Sequence, residues 1–470
     1  MKHAAPAALV AASLAALAPA PALASPLIDA TVGGMVFTGP TSAHVSAIYW
    51  NPAATGLMRG KHVYFSGQLH TDLYQVDRTD IDRTDGEPAT RPSATRISFD
   101  PAKGTLVTPG FFFGGTWDAG GDTLAIGAAV YMPFVDVQPS GHDQLRYHTE
   151  GGYFESTYIT LALSYRLTSE WTIGAALSGV YSSARLHFAF DQALDACLTP
   201  RACDVEQPGK SSDFDLTGAT GTKPDIAFSG GVTYKVSDDL LLALSYHSPP
   251  GFAAVSLPGS ATVTAPGGSQ AHGDAEINVS LPHILQLGAR WDMVPGVWQL
   301  LGSVRWMVLS AVDSFDLRLA GPELRDANVR EWLLRYRGLE SAVQTEVGLE
   351  TPAGLGTRYG LRLRFDTGGA DEHHVAPEQI TGPSFDLSGG YQHVIYGGWS
   401  FTVGLSAGLM LPRHVTESAF SPSAQTACAA SGYDLDSCES ARVGSGIPTA
   451  AGDYQRYNFA AMLGISWETL

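Results

Sequence analysis

The sequence predicts an all-β protein, a 14-stranded antiparallel transmembrane β-barrel with an N-terminal plug inside its lumen. Three observations predict this class. Many segments alternate strictly between apolar and small or polar residues, and the links between them alternate between short and long. The composition combines 44% hydrophobic residues and 52 glycines with only 16% charged residues. Outer-membrane barrels have such a composition because lipid-facing apolar residues alternate with small or polar lumen-facing residues.

The N-terminus predicts a secretory signal peptide over residues 1–24. Lys2 precedes an Ala/Leu/Val run broken by prolines, and Ala22–Ala24 forms an Ala-x-Ala cleavage site ahead of Ser25. No later stretch offers the roughly 20 uninterrupted apolar residues of a membrane helix. We therefore expect a plug over residues 25–60 and a barrel over residues 61–470 with seven long extracellular loops.

Strict alternation locates the strands. In "WSFTVGLSAGLML" (399–411) large apolar residues share one face and small or polar residues the other, and "YNFAAMLGISW" (457–467) repeats the pattern. The predicted strands lie near residues 61–70, 106–116, 122–134, 154–167, 170–190, 224–236, 239–248, 275–292, 297–313, 338–351, 357–367, 382–394, 398–411 and 454–468.

The links give the strongest signal. Those after even-numbered strands are a few residues long, as in "DAGG" and "VSDD", whereas those after odd-numbered strands are long. Short periplasmic turns and longer extracellular loops produce this alternation. Aromatic residues also gather beside the short turns, where a girdle at the water–lipid boundary is expected. They are Trp117, Trp171, Tyr234, Trp291, Trp298, Tyr396 and Trp399.

Charge and cysteine content restrict the partners. The formal net charge of −18 argues against binding of nucleic acid, because phosphate binding needs a basic surface.

The four cysteines form two close pairs in polar segments of a secreted chain, Cys197 with Cys203 and Cys428 with Cys438, and predict two disulfides within loops. A metal site is the alternative, but neither pair has the CxxC spacing or a nearby histidine. We expect no metal and no cofactor.

The segment before the first strand predicts the plug. A 14-stranded barrel is wider than its own side chains can fill, and residues 25–60 are small, Gly-rich and without a strand pattern. They include Asn51-Pro52-Ala53, a tight turn because proline fixes its own φ and disfavours helix at the preceding residue. We expect Asn51 to hold this turn through side-chain hydrogen bonds to backbone groups.

A plug carrying this Asn-Pro-Ala turn ahead of 14 strands resembles the FadL family of outer-membrane transporters for long-chain fatty acids and other hydrophobic compounds. Three further segments are similar to family hairpins: "FESTYITLALSYRLTSEWTIGAALSGVYSSARL" (154–186), "FSGGVTYKVSDDLLLALSYHSP" (228–249) and "LPHILQLGARWDMVPGVWQLLGSVRW" (281–306). The resemblance implies a monomer in the outer membrane that contacts lipid and lipopolysaccharide and takes up a hydrophobic small molecule passively.

The resemblance also implies a route for the ligand: capture between extracellular loops, a pocket in the barrel, and exit sideways where the third strand is kinked. Pro133 and Phe134, at the predicted end of that strand, are the candidates for the kink; a plain strand terminator is the alternative. Phe252, Val255 and Leu257, in an apolar fourth loop, are candidates for capture. The alternative is that these side chains are buried against the neighbouring loop, which the same sequence would also allow.

Strand alternation assigns charged side chains to the lumen. Arg290, Arg305, Arg362 and Arg364 are expected to face inward, as are Glu346 and Glu350. Such a mixed column most often braces the lumen and the plug, because buried charges need partners. The functional interpretation is that one of the four arginines binds a ligand carboxylate.

Other functions receive less support. An enzymatic role is not predicted: Ser183 and His187 are about 13 Å apart along one strand, too far for a nucleophile and its base, and "TDIDRTDGE" (79–87) misses the EF-hand spacing. A general porin for polar solutes would need an open lumen with a charge ring. A structural or adhesive barrel would need no plug.

Overall fold

A computed structural model of the chain describes residues 31–82, 89, 96–119, 123–190, 212–221, 223–252, 254–265, 267–309, 314–327, 329, 331–352, 356–370, 372–420 and 448–469. The predicted signal peptide and all four cysteines lie outside these residues. Among the described residues, no helix is long and apolar enough to cross a membrane.

Fourteen long strands form one closed antiparallel barrel, as predicted. Labelled in chain order they are β1 Lys61–Arg78, β2 Ala102–Asp118, β3 Leu124–Gln138, β4 Gly151–Arg166, β5 Trp171–Phe190, β6 Asp225–Lys235, β7 Leu240–His247, β8 His283–Val294, β9 Trp298–Val308, β10 Ala342–Glu350, β11 Thr357–Asp366, β12 Ser384–Val394, β13 Trp399–Met410 and β14 Gly452–Thr469. Each pairs with its neighbours in the chain, and β1 closes the barrel by pairing Lys61 with Thr469 of β14.

Shorter elements lie before and between these strands. The short strands are Ile81–Asp82, Arg96–Ile97, Ser212–Thr220, Ala254–Thr264, Gln270–Ser280, Ser314–Ala320, Trp332–Tyr336 and Arg413–Val415. The helices, all of one or two turns, are Ala47–Trp50, Pro52–Leu57, Asp143–Leu145, Pro250–Phe252 and Pro322–Asp326. Links after even-numbered barrel strands are short and those after odd-numbered strands are long, which confirms the predicted alternation.

Two predicted strand boundaries are wrong in an informative way. The strand predicted near 275–292 is two strands, Gln270–Ser280 in a loop and β8 in the barrel, separated by Leu281 and Pro282. Proline lacks the N–H that a central strand needs for its ladder, so the break falls there. The first strand runs to Arg78, well beyond the predicted residue 70, because its polar outer part pairs with β14 above the apolar band.

Side-chain burial alternates along the barrel strands. Outward residues such as Phe65, Leu161 and Leu463 are exposed on the barrel wall, whereas their chain neighbours are buried or half-buried toward the interior. At the short-link end, the Trp171 and Tyr234 rings stack with their centroids 4.2 Å apart. The exposed apolar band and these rings have the arrangement expected of a barrel wall in lipid.

The third, fourth and fifth long loops build a sheet that the sequence did not predict. The outer half of β5 leaves β6 and pairs with Ser212–Thr220, which continues the sheet through Ala254–Thr264 and Gln270–Ser280. Ser314–Ala320 and Trp332–Tyr336 complete it. One face of this sheet is apolar and buried. It therefore extends one side of the barrel wall beyond the membrane-spanning strands.

Residues 31–60 lie inside the barrel against strands on all sides. Thr31 hydrogen-bonds Gln68 of β1, and a side chain at Gly390 of β12 would overlap Val36. On the other side, Ser245 of β7 donates to the Trp50 carbonyl with an O···O distance of 2.8 Å. The small inward residues of the strands thus leave room for this segment, and their hydroxyls satisfy its backbone groups.

Candidate ligand pocket and lateral gap

The Asn51-Pro52-Ala53 turn is fixed by the side chain of Asn51, which is fully buried. Its Oδ1 accepts from the Ala53 amide at 3.1 Å, and this caps the 3₁₀ helix that begins at Pro52. Its Nδ2 donates to the carbonyls of Pro40 (3.0 Å) and of Val232 on β6 (3.3 Å). Asn51 therefore ties together two parts of the plug and the barrel wall, because a single amide supplies both donors and an acceptor.

Arg362 and Arg364 have carboxylate partners. Arg362 Nη1 lies 2.9 Å from Glu346 and Nη2 lies 2.6 Å from Glu350, and Nη2 also donates to the Thr38 carbonyl of the plug. Arg364 pairs with Asp386 at 3.2 Å. These contacts are those of bracing residues, whose guanidinium donors are used within the protein.

Arg290 and Arg305 differ from these two, since their hydrogen bonds go to the plug. Arg290 Nη1 donates to the Thr41 carbonyl at 2.9 Å. Arg305 Nη2 donates to the hydroxyl of Tyr49 at 2.5 Å. Among the described residues, no carboxylate lies within 4.0 Å of the Arg305 guanidinium.

Pro133 does not end the third strand. The strand continues to Gln138, and its register with β4 shifts between Tyr131, which faces Tyr158, and Phe134, which faces Ser156. Two residues, Met132 and Pro133, thus oppose one residue of β4. The terminator alternative is wrong: the irregularity is a β-bulge inside the strand, of the kind that bends a strand and terminates pairing on one side.

Pairing between β2 and β3 stops at this bulge. It covers Phe112–Asp118 of β2 and ends with Phe112 opposite Tyr131. Beyond that point, residues 102–111 of β2 pair only with β1, and residues 134–138 of β3 pair only with β4. The barrel wall therefore has a lateral gap between β2 and β3, defined here by residues 102–111 and 132–138. Residues 108–111 of this edge pair with residues 67–70 of β1, which lie in the apolar band. Unpaired backbone groups are costly there, so the gap is a specific feature.

A small cavity of about 20 Å³, called here the pocket, lies near this gap. Its lining consists of aromatic rings, small polar residues and a few apolar ones: Tyr49, Tyr131, Phe134, Tyr158, Phe228, His247, Ser178, Ser229, Ser248, Ala227, Pro282 and Ile284. Tyr49 of the plug has its ring centroid 5.3 Å from those of both Tyr131 and His247. Tyr131 stacks on Tyr158 at 5.6 Å, and Phe134 lies 5.9 Å from Tyr158. Tyr131 and Phe134 belong to both the pocket and the edge of the gap.

The capture residues predicted in the fourth loop do not form one exposed patch. Val255 and Leu257 are fully buried in the extracellular sheet, which corresponds to the burial alternative. Phe252 is 61% exposed, but its ring lies 5.6 Å from that of Phe228, an outward residue of β6. Phe252 therefore extends an aromatic cluster on the outer wall, and its role in ligand capture stays a prediction.

Sequence reasoning missed the aromatic lining of the pocket. Tyr131 was detectable in principle: the other inward residues of its strand before the bulge, such as Gly127 and Ala129, are small. A large polar aromatic residue among small inward residues indicates a contact in the lumen. Tyr49 and His247 could not be assigned in this way, because their neighbours depend on how the plug enters the barrel.

Comparisons with known proteins agree with this architecture. The sequence profile of a family described as outer membrane protein transport protein (OMPP1/FadL/TodX) matches residues 11–337. No curated protein matches the chain. Among solved structures, a Pseudomonas aeruginosa FadL homologue is 14% identical with a TM-score of 0.71, over 95% of this chain and 99% of that chain.

Two transporters have a similar fold. The toluene transporter TbuX of Ralstonia pickettii is 14% identical with a TM-score of 0.61, over 96% of this chain and 99% of its own. The toluene transporter TodX of Pseudomonas putida is 14% identical with a TM-score of 0.62, over 94% and 97%. At these identities the likeness is one of fold.

Proposed function

Because the chain belongs to the outer membrane protein transport protein family (OMPP1/FadL/TodX), we propose that it carries hydrophobic compounds passively through the outer membrane and releases them sideways into the bilayer. The proposal rests on one observation: the same two residues border both the pocket and the gap. Tyr131 and Phe134 line the pocket and lie where β3 loses its partner β2. Once the rings around the pocket separate to admit a ligand, that ligand has a short path to lipid.

Energetics favour the lateral route over release into the periplasm. Moving an apolar solute into water costs roughly 0.8 kcal/mol for each exposed CH₂ group. A ligand that moves from an aromatic pocket into acyl chains avoids this cost, so the uptake needs no energy source. The edges of β2 and β3 are already unpaired, and a passing ligand would break no ladder hydrogen bonds.

The plug makes a general porin the weaker candidate. Residues 31–57 contact inward positions of strands around the barrel, and Pro40 lies so close to β8 that a side chain at Gly288 would overlap it. We propose that this segment closes the lumen to ions. A steady and large single-channel conductance from the intact protein would favour the porin instead.

The substrate class within hydrophobic compounds is also a proposal. TbuX and TodX are toluene transporters, and another protein of this fold is described as a monoaromatic hydrocarbon channel. A pocket lined by rings suits aromatic solutes, because aromatic pairs prefer edge-to-face or offset-stacked contacts. The pocket measures about 20 Å³, so the rings would have to separate to admit an aromatic solute, and further for long-chain fatty acids, the other class that the family resemblance implies.

Deletion of Pro133 tests lateral release. The deletion would leave one residue opposite one residue of β4, remove the bulge, and keep Phe134 and Asp136 facing inward. β3 could then pair with residues 102–111 of β2 and close the gap. We expect uptake of a labelled hydrophobic substrate into cells to fall at least tenfold, with normal heat-modifiable mobility of the folded barrel on gels.

The matched control is Pro133→Ala, which changes the same residue but keeps two residues opposite one. We expect the bulge and most of the uptake to remain. Normal uptake by a folded deletion variant would show that the gap is not the exit.

A further inference from the structure

Two aromatic residues, Tyr131 and Phe134, stand between the pocket and the lateral gap, and the pocket is closed. Its volume is about 20 Å³, little more than the roughly 10–15 Å³ that a single water molecule needs. A ligand with an aromatic ring therefore passes from the pocket to the gap only if one of the two rings moves. The contacts of Tyr131 and of Phe134 differ, and they indicate which ring is free to do so.

Tyr131 is held on every side. Its hydroxyl accepts from Thr160 Oγ1 at 3.0 Å. Its ring stacks between those of Phe112 and Tyr158, at centroid distances of 5.7 and 5.6 Å, and lies 5.3 Å from that of Tyr49. Its backbone has strand neighbours on both sides, Phe112 of β2 and Tyr158 of β4. A swing of Tyr131 into lipid would carry an unpaired hydroxyl into hydrocarbon, which is costly.

Phe134 is held on one side only. Its backbone faces Ser156 of β4, and it lies beyond the point where pairing with β2 ends. Among the described residues, its ring contacts that of Tyr158 alone, with the centroids 5.9 Å apart. Its side chain has no polar atom, so no hydrogen bond fixes the orientation of the ring.

The part of β2 across the gap presents no inward ring that would hold Phe134 in place. The next inward residues of β2 beyond Phe112 are Gly110 and Thr108. A Cβ at Gly110 would overlap the side chain of Gln68, which confirms that this position faces the lumen. The Phe134 ring can change from one staggered rotamer to another. It loses little hydrophobic burial when it exchanges the pocket for acyl chains, because lipid tails are as apolar as the side chains that line a protein core.

We propose that Phe134 is the gate between the pocket and the gap. Its ring swings toward lipid to let a ligand pass, and the opening that it leaves determines the greatest width of that ligand. The inference rests on the proposed function, because a gate at the gap has a use only if the ligand leaves there. It adds a specificity-determining residue to lateral release, and it predicts that single-ring compounds pass more readily than fused-ring compounds.

Uptake of radiolabelled toluene and naphthalene by cells that produce the full chain tests the proposal. The measured quantity is the ratio of naphthalene uptake to toluene uptake, which does not depend on the amount of folded barrel in each strain. Phe134→Ala removes the ring and should raise this ratio at least threefold. Phe134→Trp installs a larger ring and should lower the ratio at least threefold. Heat-modifiable mobility on gels shows that each variant is folded.

The matched controls are Phe228→Ala and Phe228→Trp. Phe228 also lines the pocket, but it belongs to β6, which does not border the gap. Both variants should keep the wild-type ratio. The proposal is overturned if the folded Phe134 variants keep that ratio. It is also overturned if Phe228→Ala raises the ratio as much as Phe134→Ala does, because the volume of the pocket would then set the width.

A fluorine label follows the ring directly and keeps its size. The full chain carries para-fluorophenylalanine in place of Phe134, in nanodiscs whose lipids bear a spin label on the acyl chain. Saturating naphthalene should broaden the fluorine resonance at residue 134 at least twofold, because the ring moves toward lipid. The same label at Phe112, which is fully buried in the ring stack, should keep its linewidth. An unchanged linewidth at residue 134 would overturn the gate.

Lateral release and the gate fail in different ways. Lost uptake in the Pro133 deletion variant, together with a wild-type ratio in both Phe134 variants, would overturn the gate and leave lateral release standing. Normal uptake by a folded Pro133 deletion variant would overturn lateral release and the gate with it.

Discussion

Arg362 and Glu350 form a buried ion pair, with Nη2 and Oε1 2.6 Å apart and both side chains at most 4% exposed. The pair joins β11 to β10 and also holds the plug: Glu350 Oε1 accepts from the Phe37 amide at 2.9 Å, and Arg362 donates to the Thr38 carbonyl. One pair of charges therefore links two barrel strands to a segment more than 300 residues away in the chain.

Replacing Arg362 with methionine should release this part of the plug. Glu346 would lose its partner and Glu350 the closer of its two, with Arg358 remaining at 3.6 Å. Breaking one partner of a buried pair costs about 3 to 5 kcal/mol. We expect a folded barrel with raised ion conductance in planar bilayers. Arg364→Met, which breaks the neighbouring pair with Asp386, is the matched control and should leave conductance low. Equal conductance in the two variants would show that the Arg362–Glu350 pair does not hold the plug in place.

Gly231→Ala should displace the Asn51 turn. A Cβ at Gly231 would overlap Asn51 Oδ1, the atom that caps the turn. We expect a lower thermal midpoint and raised conductance, since a buried amide would lose its partners at about 1 to 3 kcal/mol. Gly67→Ala on β1 is the control, because nothing lies within 4 Å of its new Cβ. If the thermal midpoint and the conductance of Gly231→Ala equal those of that control, the added Cβ does not displace the Asn51 turn.

Deleting residues 25–50 tests the plug as a whole. The barrel closes through its own ladder, from β1 to β14, so we expect a folded and heat-modifiable protein. Its conductance should rise because the lumen would lose its filling. A conductance equal to that of the full chain would contradict the assignment of these residues to the plug.

The cysteine pairs remain a prediction, since they lie outside the described residues. Cys197 should pair with Cys203, and Cys428 with Cys438, each stabilising its loop by about 2 to 3 kcal/mol on the chain-entropy model. Peptide mapping under non-reducing conditions should recover both links. Recovery of links between loops, or of free thiols, would contradict the pairing.

The sequence alone determined the barrel, the number of its strands and which side chains face inward. Alternation with a period of two is a local property, so Arg305 and Arg362 could be assigned to the lumen from their own strands. The lengths of the links then determined the alternating turns and loops. These features depend on neighbours in the chain, which a single sequence records.

Only the tertiary structure decided which inward arginine is neutralised, and where the wall opens. Arg362 is paired because Glu346 and Glu350 on the adjacent strand flank Gly348, the residue opposite it, whereas the residues opposite Arg305 are Gln286 and Gln344. Likewise Pro133 could end a strand or bend it, and the choice depends on what β2 and β4 offer as partners. Neutralisation and pairing are properties of residues far apart in the chain, and folding alone brings them together.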